Sequence, residues 1–148
     1  MSKKLSYKGQ IAIGLQEKIK LSTLNGKRGY RIKKLQCMPG RPGVDSGELI
    51  VKVYTKDQRG VIDSTVNFSE ADLVGVAFYK SHANNVYSVS DTIIFDNEVF
   101  NQDIFVTMTD AEGGTDPGNY YIELETVELS SAQATQLTLK SLRAIFST

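Results

Sequence analysis

Apolar and polar residues alternate along much of the chain with a period of two, which is typical of β-strands that cover one face. The first such segment predicts one strand with a bulge, and its apolar positions are Ile11, Ile13, Leu15, Ile19 and Leu21. The Asn25-Gly26 pair after it predicts a tight turn. The beginning of the chain is therefore expected to form β-structure.

The middle of the chain continues this pattern. Tyr30 to Met38 predicts a second strand, and the polar loop Pro39 to Gly47 ends it. In the next strand the apolar face is formed by Leu49, Val51 and Val53, and the face expected to meet solvent or a partner is formed by Lys52, Tyr54 and Lys56. Leu73 to Tyr79 is nearly all apolar, which fits a strand covered on both faces or a buried helix segment, and Gly75 and the aromatic residues favour the strand. Two more strands are predicted at Val86 to Phe95 and at Ile104 to Met108.

The last part of the chain predicts a strand followed by a helix. Tyr120 to Leu129 alternates most clearly and is preceded by the glycine-rich loop Asp110 to Asn119. A helix is expected to begin at Ser130, because a serine three residues before Gln133 can form a capping box. The apolar stripe of this helix is predicted to dock on the sheet or on a neighbouring subunit, and it contains Ala132, Leu139, Leu142, Ile145 and Phe146.

These elements predict an all-β fold, namely an antiparallel β-sandwich, jelly-roll-like, with one C-terminal amphipathic helix. The chain has 148 residues, which is the size of a single domain with its own core, and no internal repeat is evident. We therefore expect one domain over residues 1–148, with a flexible arm at 1–10 and the helix at 130–146.

Charge and the single cysteine narrow the functional classes. Seventeen Lys and Arg balance seventeen Asp and Glu, so we expect no nucleic acid partner. The one local basic cluster is interpreted first as edge-strand protection or as contacts to an acidic partner, and it contains Lys27, Arg28, Arg31, Lys33 and Lys34. Cys37 is alone and predicts a reduced thiol and intracellular assembly. No signal peptide or membrane span is evident, and no membrane partner is expected.

No pattern of residues predicts catalysis. His82 is the only histidine, and no nucleophile motif accompanies it, so we interpret it as a surface loop residue. A dyad of His82 with Cys37 is disfavoured because the two lie on separate predicted elements. The carboxylate pairs Asp91 with Asp96 and Glu123 with Glu125 resemble those of glycosidases, but the chain has no Trp for stacking on sugars. We expect no enzyme activity.

Metal and nucleotide sites are disfavoured as well. One His and one Cys cannot form the usual zinc sites. The loop carboxylates Asp110, Glu112 and Asp116 are candidate calcium ligands, but their spacing does not match an EF-hand, and a hairpin turn is the favoured interpretation. No phosphate-binding glycine motif is present. We therefore expect no cofactor and no metal.

The segment from Asp91 to Arg143 contains DTIIFDNEVFNQDIFVT, then NYYIELETVELSS, then a short helix with TLKSLR. This succession resembles small virion proteins of tailed, particularly marine, bacteriophages, and it covers about a third of the chain. The resemblance implies a non-enzymatic β-sandwich that decorates or cements a capsid by joining major capsid protein subunits or other virion proteins. It implies a location in the virion after assembly in the host cytoplasm, and it transfers no site residues.

Long polar loops and exposed aromatic residues in a neutral sandwich also indicate protein contacts, in which Tyr and Arg often serve as anchors. The residues predicted to contact a partner are Tyr7, Tyr30, Arg31 and Arg41. The isolated chain is expected to be a monomer or a small homo-oligomer. The alternative function is a ligand- or receptor-binding module of a virion or adhesin that recognises carbohydrate or a host surface, and a concave aromatic pocket would favour it.

Overall fold

The computed structural model describes residues 3–23, 25–41, 47–81, 89–95 and 98–146. Within these ranges the chain forms eight strands and one helix: β1 (Lys4–Ile11), β2 (Gln16–Ile19), β3 (Arg28–Pro39), β4 (Gly47–Tyr54), β5 (Leu73–Ser81), β6 (Val89–Ile94), β7 (Ile104–Asp110), β8 (Gly118–Glu128) and α1 (Ser131–Phe146). The strands form two antiparallel sheets, so the predicted all-β sandwich with a C-terminal helix is confirmed.

The small sheet has the order β1-β8-β3, and the large sheet has the order β2-β7-β4-β5-β6. Consecutive strands often belong to different sheets, and the pairs are nested, because β1 pairs with β8, β2 with β7, and β4 with β5. β3 and β6, the two strands not included in these pairs, belong to different sheets and are joined by a side-chain hydrogen bond. The Thr92 hydroxyl of β6 donates a hydrogen bond of 3.0 Å to the Leu35 carbonyl of β3.

The main core lies between the two sheets. In β8 the alternation predicted from the sequence is confirmed: Tyr120, Ile122 and Leu124 are buried, while Tyr121 and Glu123 face outward and are half-buried. The large sheet contributes the buried side chains Leu49, Val51, Val53, Val74, Ala77, Ile104, Val106 and Met108. Burying such apolar area is the main term that stabilises a sandwich of this size.

A second cluster lies on the opposite face of the large sheet, where segment 55–72 covers β4 and β5. Its buried members are Ile50, Tyr54, Leu73 and Val76. Lys52 belongs to the same face and is only 2% exposed. Its ammonium group donates hydrogen bonds to the Asp63 carboxylate at 3.1 Å and the Thr65 carbonyl at 2.6 Å. The prediction that Lys52 and Tyr54 meet solvent or a partner is therefore wrong, because a long connection of the same chain covers them.

The beginning of the chain differs from the prediction in two ways. Residues 4–11 are not a free arm, since β1 pairs with β8 from Lys4 opposite Glu125 to Ile11 opposite Gly118. The predicted single bulged strand is two strands in different sheets. Between them Gly14 adopts a φ of +85°, which favours glycine, and its N–H donates to the Met108 carbonyl at 2.8 Å. This turn carries the chain from the small sheet to the large one.

Helix α1 begins where the sequence predicts. The Gln133 N–H donates to the Ser130 hydroxyl at 3.2 Å, and the Ser130 N–H donates to the Gln133 side-chain carbonyl at 2.9 Å. These two hydrogen bonds form the capping box and satisfy two backbone groups that have no partner inside the helix. The predicted start of the helix is thus confirmed.

The face by which α1 packs is not the predicted one. Ala134 is buried, and Leu137, Thr138 and Ser141 are half-buried against the body of the protein. The buried Asn101 amide fastens this face, because it donates to the Thr138 hydroxyl and the Gly26 carbonyl, each at 3.0 Å, and to the Ala134 carbonyl at 3.3 Å. The expectation that the leucine stripe docks on the sheet is wrong, since small and polar residues allow the closer approach.

Candidate functional site

The four residues predicted to contact a partner do not form one surface. Tyr30 is 3% exposed, its hydroxyl donates to the Leu21 carbonyl at 3.0 Å, and its ring stacks on Phe100 at 6.3 Å between centroids. A side chain with these neighbours belongs to the core, so the prediction for Tyr30 is corrected. Tyr7 faces the space between the sheets and is half-buried, and burial raises the pKa of its hydroxyl.

Arg31 and Arg41 lie elsewhere. Arg31 is half-buried on the outer face of β3, and its guanidinium lies 3.8 Å from the Glu125 carboxylate of β8. Arg41 is exposed just after the end of β3. A contact with a partner therefore stays a prediction for Tyr7, Arg31 and Arg41.

The basic cluster lies on and beside an edge strand. β3 is the last strand of the small sheet, and Arg28, Lys33 and Lys34 on it are exposed. The Lys33 ammonium lies 3.6 Å from the Glu125 carboxylate. The acidic residues of β8 thus offset part of this positive charge. This arrangement agrees with the interpretation as edge-strand protection.

The acidic loop between β7 and β8 is organised by its own backbone. The Asp110 carboxylate accepts hydrogen bonds from the N–H groups of Glu112 at 2.9 Å and Glu48 at 3.1 Å. Gly113 in the same loop has a φ of +80°. These contacts are those of a turn. Across the described ranges, no three side chains among His, Cys, Asp and Glu lie together in a way that could hold a metal ion.

The candidate nucleophile Cys37 is half-buried on β3, and burial raises the pKa of its thiol to about 12. Because the thiolate is the reactive form, this thiol is a poor nucleophile at neutral pH. His82 and Asp96 lie outside the described residues. Asp91 lies on β6 of the large sheet, whereas Glu123 and Glu125 both lie on β8 of the small sheet.

One candidate surface is formed by the outward face of α1 together with Lys27, which lies just before β3. We call it the helix surface and define it by Lys27, Thr135, Leu139, Leu142 and Arg143. Leu139 and Leu142 are each 45% exposed, although they are large apolar side chains. The face also includes a shallow groove of about 310 Å³ between the helix and the turn before β3, lined in part by Asn25, Lys27, Thr135 and Leu139.

The charge of the helix surface has one sign. Helix α1 contains Lys140 and Arg143 and no acidic residue, and Lys27 lies across the shallow groove from Leu139. The Lys140 ammonium lies 3.6 Å from the Glu98 carboxylate, which neutralises it in part. The helix surface therefore combines apolar side chains with positive charge, and it complements an acidic surface that has apolar residues at its centre.

A second candidate site is a groove of about 680 Å³ between the two sheets, which we call the inter-sheet groove. The register places Gly9, Tyr120 and Cys37 in one row across the small sheet. From the large sheet, Tyr79 of β5 and Ser90 of β6 line the groove, and these two residues are themselves register partners. The groove lies beside the hydrogen bond between Thr92 of β6 and Leu35 of β3.

One wall of the inter-sheet groove is held by a hydrogen bond between the sheets. The Tyr120 hydroxyl donates to the Glu17 carboxylate of β2 at 3.0 Å. Burial, followed by this hydrogen bond and the negative charge of Glu17, raises the pKa of Tyr120. A Cβ atom at Gly9 would lie 2.9 Å from the Glu17 carboxylate and 3.0 Å from the Tyr120 ring, so the absence of a side chain here leaves room for the pair.

Of these two candidate sites, only the helix surface contains residues that the sequence pattern had identified. The leucines of the helix surface were part of the predicted stripe, so the apolar pattern identified them although it placed them in contact with the sheet. The inter-sheet groove combines residues from β1, β3, β5, β6 and β8. Their juxtaposition depends on strand pairing over more than a hundred residues, which no local pattern reveals.

The helices in the described parts of the chain offer no segment with the length and hydropathy needed to cross a bilayer. In the comparisons with known proteins, no protein-family model matches the chain and no curated protein matches it.

Proposed function

We propose that this protein is a non-enzymatic structural component of a bacteriophage virion that decorates or cements the capsid by binding the major capsid protein shell. The observation that carries the proposal is the helix surface, on which Leu139 and Leu142 stay exposed while small residues face the core. Exposed leucines on a helix cost solvation free energy that a partner surface would recover. Their predicted docking on a neighbouring subunit is part of this proposal.

The strand order gives the proposal a structural context. Nested pairing of β1 with β8, β2 with β7, and β4 with β5, together with the approach of β6 to β3, is the arrangement we assign to a jelly roll. Jelly rolls are frequent in viral capsid and lectin domains. Because a fold hosts many functions, this supports the virion role only together with the resemblance of residues 91–143 to phage virion proteins.

The partner of the helix surface is expected to be acidic at its rim and apolar at its centre. Lys27 and Arg143 flank the two leucines, so the positive charge would steer and orient the docking, and the leucines would supply the buried area. Other virion proteins and a second copy of the chain are the remaining candidates. A second copy is disfavoured, because it would bring two positively charged helices together.

The test is to purify the native particle, identify the chain in it by mass spectrometry, and locate it by cryo-electron microscopy. The expected result is density for the sandwich on the outer shell, with α1 facing a capsid subunit. In a reconstitution, Leu139→Glu/Leu142→Glu should lose particle binding, whereas the control Val61→Glu/Val66→Glu, which makes the same change at two exposed apolar positions of segment 55–72, should retain it. Absence of the chain from the particle, or full binding by the double variant, would overturn the proposal.

A second function is favoured by a specific observation, the inter-sheet groove. Its volume of about 680 Å³ is within the range of about 300–1,000 Å³ for ligand pockets, and tyrosines line it. This supports a ligand- or receptor-binding module of a virion or adhesin. The two functions use different surfaces, so variants of one surface leave the other intact.

A further inference from the structure

A further apolar area is exposed on the outer face of the large sheet, on the side away from the main core. We call it the aromatic patch and define it by Phe68, Phe78, Ile93 and Phe95. Phe68 and Ile93 are 57% and 42% exposed, and Phe78 and Phe95 are half-buried. Exposed apolar areas that contain aromatic side chains are typical of surfaces that contact another protein.

The members of the aromatic patch adjoin each other. Ile93 lies opposite Val76 in the register of β6 with β5. Phe78 and Phe95 pack against the buried cluster that includes Val76. The Phe68 ring contacts the Phe95 ring edge-to-face, with 5.2 Å between centroids. The aromatic patch is therefore one continuous surface, and strand pairing and ring packing hold it in place without a partner.

The charged residues around the aromatic patch are mainly acidic. Glu70, two residues after Phe68, and Asp91, two residues before Ile93, are both exposed. Asp91 lies on the same face of β6 as Ile93, because alternate residues of a strand share a face. Lys80, on the same face of β5, lies within 4.0 Å of two other carboxylates, which offset its charge. The aromatic patch thus has an apolar centre and negative charge at its rim.

The helix surface has the complementary composition. Leu139 and Leu142 are each 45% exposed, and the cations Lys27 and Arg143 beside them are exposed as well. Contact between two helix surfaces would bring like charges together, and so would contact between two aromatic patches. Contact between a helix surface and an aromatic patch brings opposite charges together around two apolar centres. A second copy of the chain therefore matches the helix surface through its aromatic patch.

We propose that copies of the chain associate with each other, with the helix surface of one copy docked on the aromatic patch of another. The leucines and the aromatic rings supply the buried area, and the opposite charges orient the contact. The inference uses the same helix surface as the capsid proposal but does not rest on the capsid role. A second copy and the capsid shell compete for this surface, so self-association covers the exposed leucines of the free chain.

Sedimentation velocity over a range of concentrations tests the association. The average mass of the wild-type chain should rise with concentration. Leu139→Glu/Leu142→Glu changes the helix surface, Phe68→Glu/Ile93→Glu changes the aromatic patch, and each variant should stay monomeric. A wild-type chain that stays monomeric into the millimolar range would overturn the inference. Association of the patch variant at wild-type strength would overturn it as well.

The matched control is Leu15→Glu/Met38→Glu, which makes the same kind of change at two exposed apolar residues outside both surfaces. This variant should associate as the wild type does. Its loss of association would show that any two added carboxylates prevent self-association, which contradicts a specific contact.

Charge reversal identifies which surfaces meet and leaves the apolar packing unchanged. Glu70→Lys/Asp91→Lys makes the rim of the aromatic patch positive, and Lys27→Glu/Arg143→Glu makes the helix surface negative; all four positions are exposed. Each variant alone brings like charges together and should associate about tenfold more weakly than wild type. In an equimolar mixture opposite charges meet in both possible contacts, so association should return. A mixture no stronger than the separate variants contradicts the proposed pairing.

Particle binding separates this inference from the capsid proposal. Glu70→Lys/Asp91→Lys leaves the helix surface intact, so it should bind the particle as the wild type does although its self-association is weakened. Loss of particle binding by this variant would show that the aromatic patch faces the shell, and it would overturn the inference.

Discussion

The Tyr120 hydroxyl on the central strand of the small sheet donates a 3.0 Å hydrogen bond to the Glu17 carboxylate on β2, an edge strand of the large sheet, and this bond links the two layers. Tyr120→Phe removes the donor and should lower the free energy of unfolding by about 1–2 kcal/mol. Tyr121→Phe is the matched control, because its hydroxyl makes the same kind of bond to Glu123 on the outer face at 3.0 Å.

Urea denaturation of both variants measures the difference. Tyr121→Phe should lower the free energy of unfolding by less than Tyr120→Phe does, because water can replace the lost hydrogen bond on the outer face. Equal losses of unfolding free energy in the two variants would show that the hydrogen bond between the sheets does not stabilise the protein more than the one on the outer face. The raised pKa of Tyr120 also predicts a pH effect: its contribution is complete below about pH 10, where unfolded tyrosine is neutral, and is lost as the pH rises above that value.

Cys37 provides a second prediction, through its thiol pKa of about 12. At pH 8 the folded chain should react with a disulfide reagent about a hundredfold more slowly than the urea-unfolded chain, since less thiolate is present and greater nucleophilicity offsets only part of the loss. Absorbance of the released thiol follows the reaction. Similar rates for folded and unfolded chain would contradict the burial of this side chain.

The environment of Asp103 predicts that the stability of the protein falls at acidic pH. Burial alone would raise its pKa, but hydrogen bonds from the N–H groups of Ser22 and Leu21, and from Lys18, outweigh that effect and lower it. A lowered pKa contributes stability above the ordinary value near 4 that is lost as the pH falls through the folded value. Asp103→Asn should therefore be destabilised by about 1–2 kcal/mol at pH 7 and less at pH 3.

Urea titrations of wild type and Asp103→Asn at the two pH values provide the comparison. The exposed Asp116→Asn serves as the control and should match wild type at both. A difference between wild type and Asp103→Asn that is constant from pH 7 to pH 3 would rule out the carboxylate as its source.

Asn101 holds the helix to the sandwich. Asn101→Ala leaves the Gly26 carbonyl and the Thr138 hydroxyl without their partner and should cost about 1–3 kcal/mol. Hydrogen exchange should accelerate in α1 more than in β8, because the amide fastens the helix specifically. Asn67→Ala, in the exposed part of segment 55–72, is the control and should leave the helix protected. Uniform acceleration in both elements would contradict a local role.

The capping box of α1 provides the fifth prediction. Ser130→Ala removes the side chain that accepts from the Gln133 N–H and should destabilise the protein by about 1 kcal/mol. Ser131→Ala changes the neighbouring exposed serine to the same residue and should have little effect. Thermal unfolding followed by circular dichroism distinguishes the two variants. If both substitutions lower the midpoint temperature of unfolding equally, Ser130 does not act as a helix cap.

Local patterns predicted the elements whose side chains follow a simple period, such as Tyr120, Ile122 and Leu124 in β8. They failed for β1, where Gly9 interrupts the inward face of Leu5, Tyr7 and Ile11, and where pairing with β8 completes the strand. They also failed for the packing of α1, because Ala134 and Thr138 fit against Asn101 more closely than leucine would. Tertiary contacts of this kind leave no periodic signal.

The position of β8 between β1 and β3 has a consequence for biosynthesis. During translation β1 and β3 leave the ribosome long before the strand that joins them, since Lys4 pairs with Glu125. The small sheet can assemble only after β8 has emerged, and until then the apolar residues of β3 lack their cover. Contacts so distant in sequence slow folding. The nascent chain is therefore expected to depend on chaperones, or on rapid completion of synthesis, to avoid aggregation.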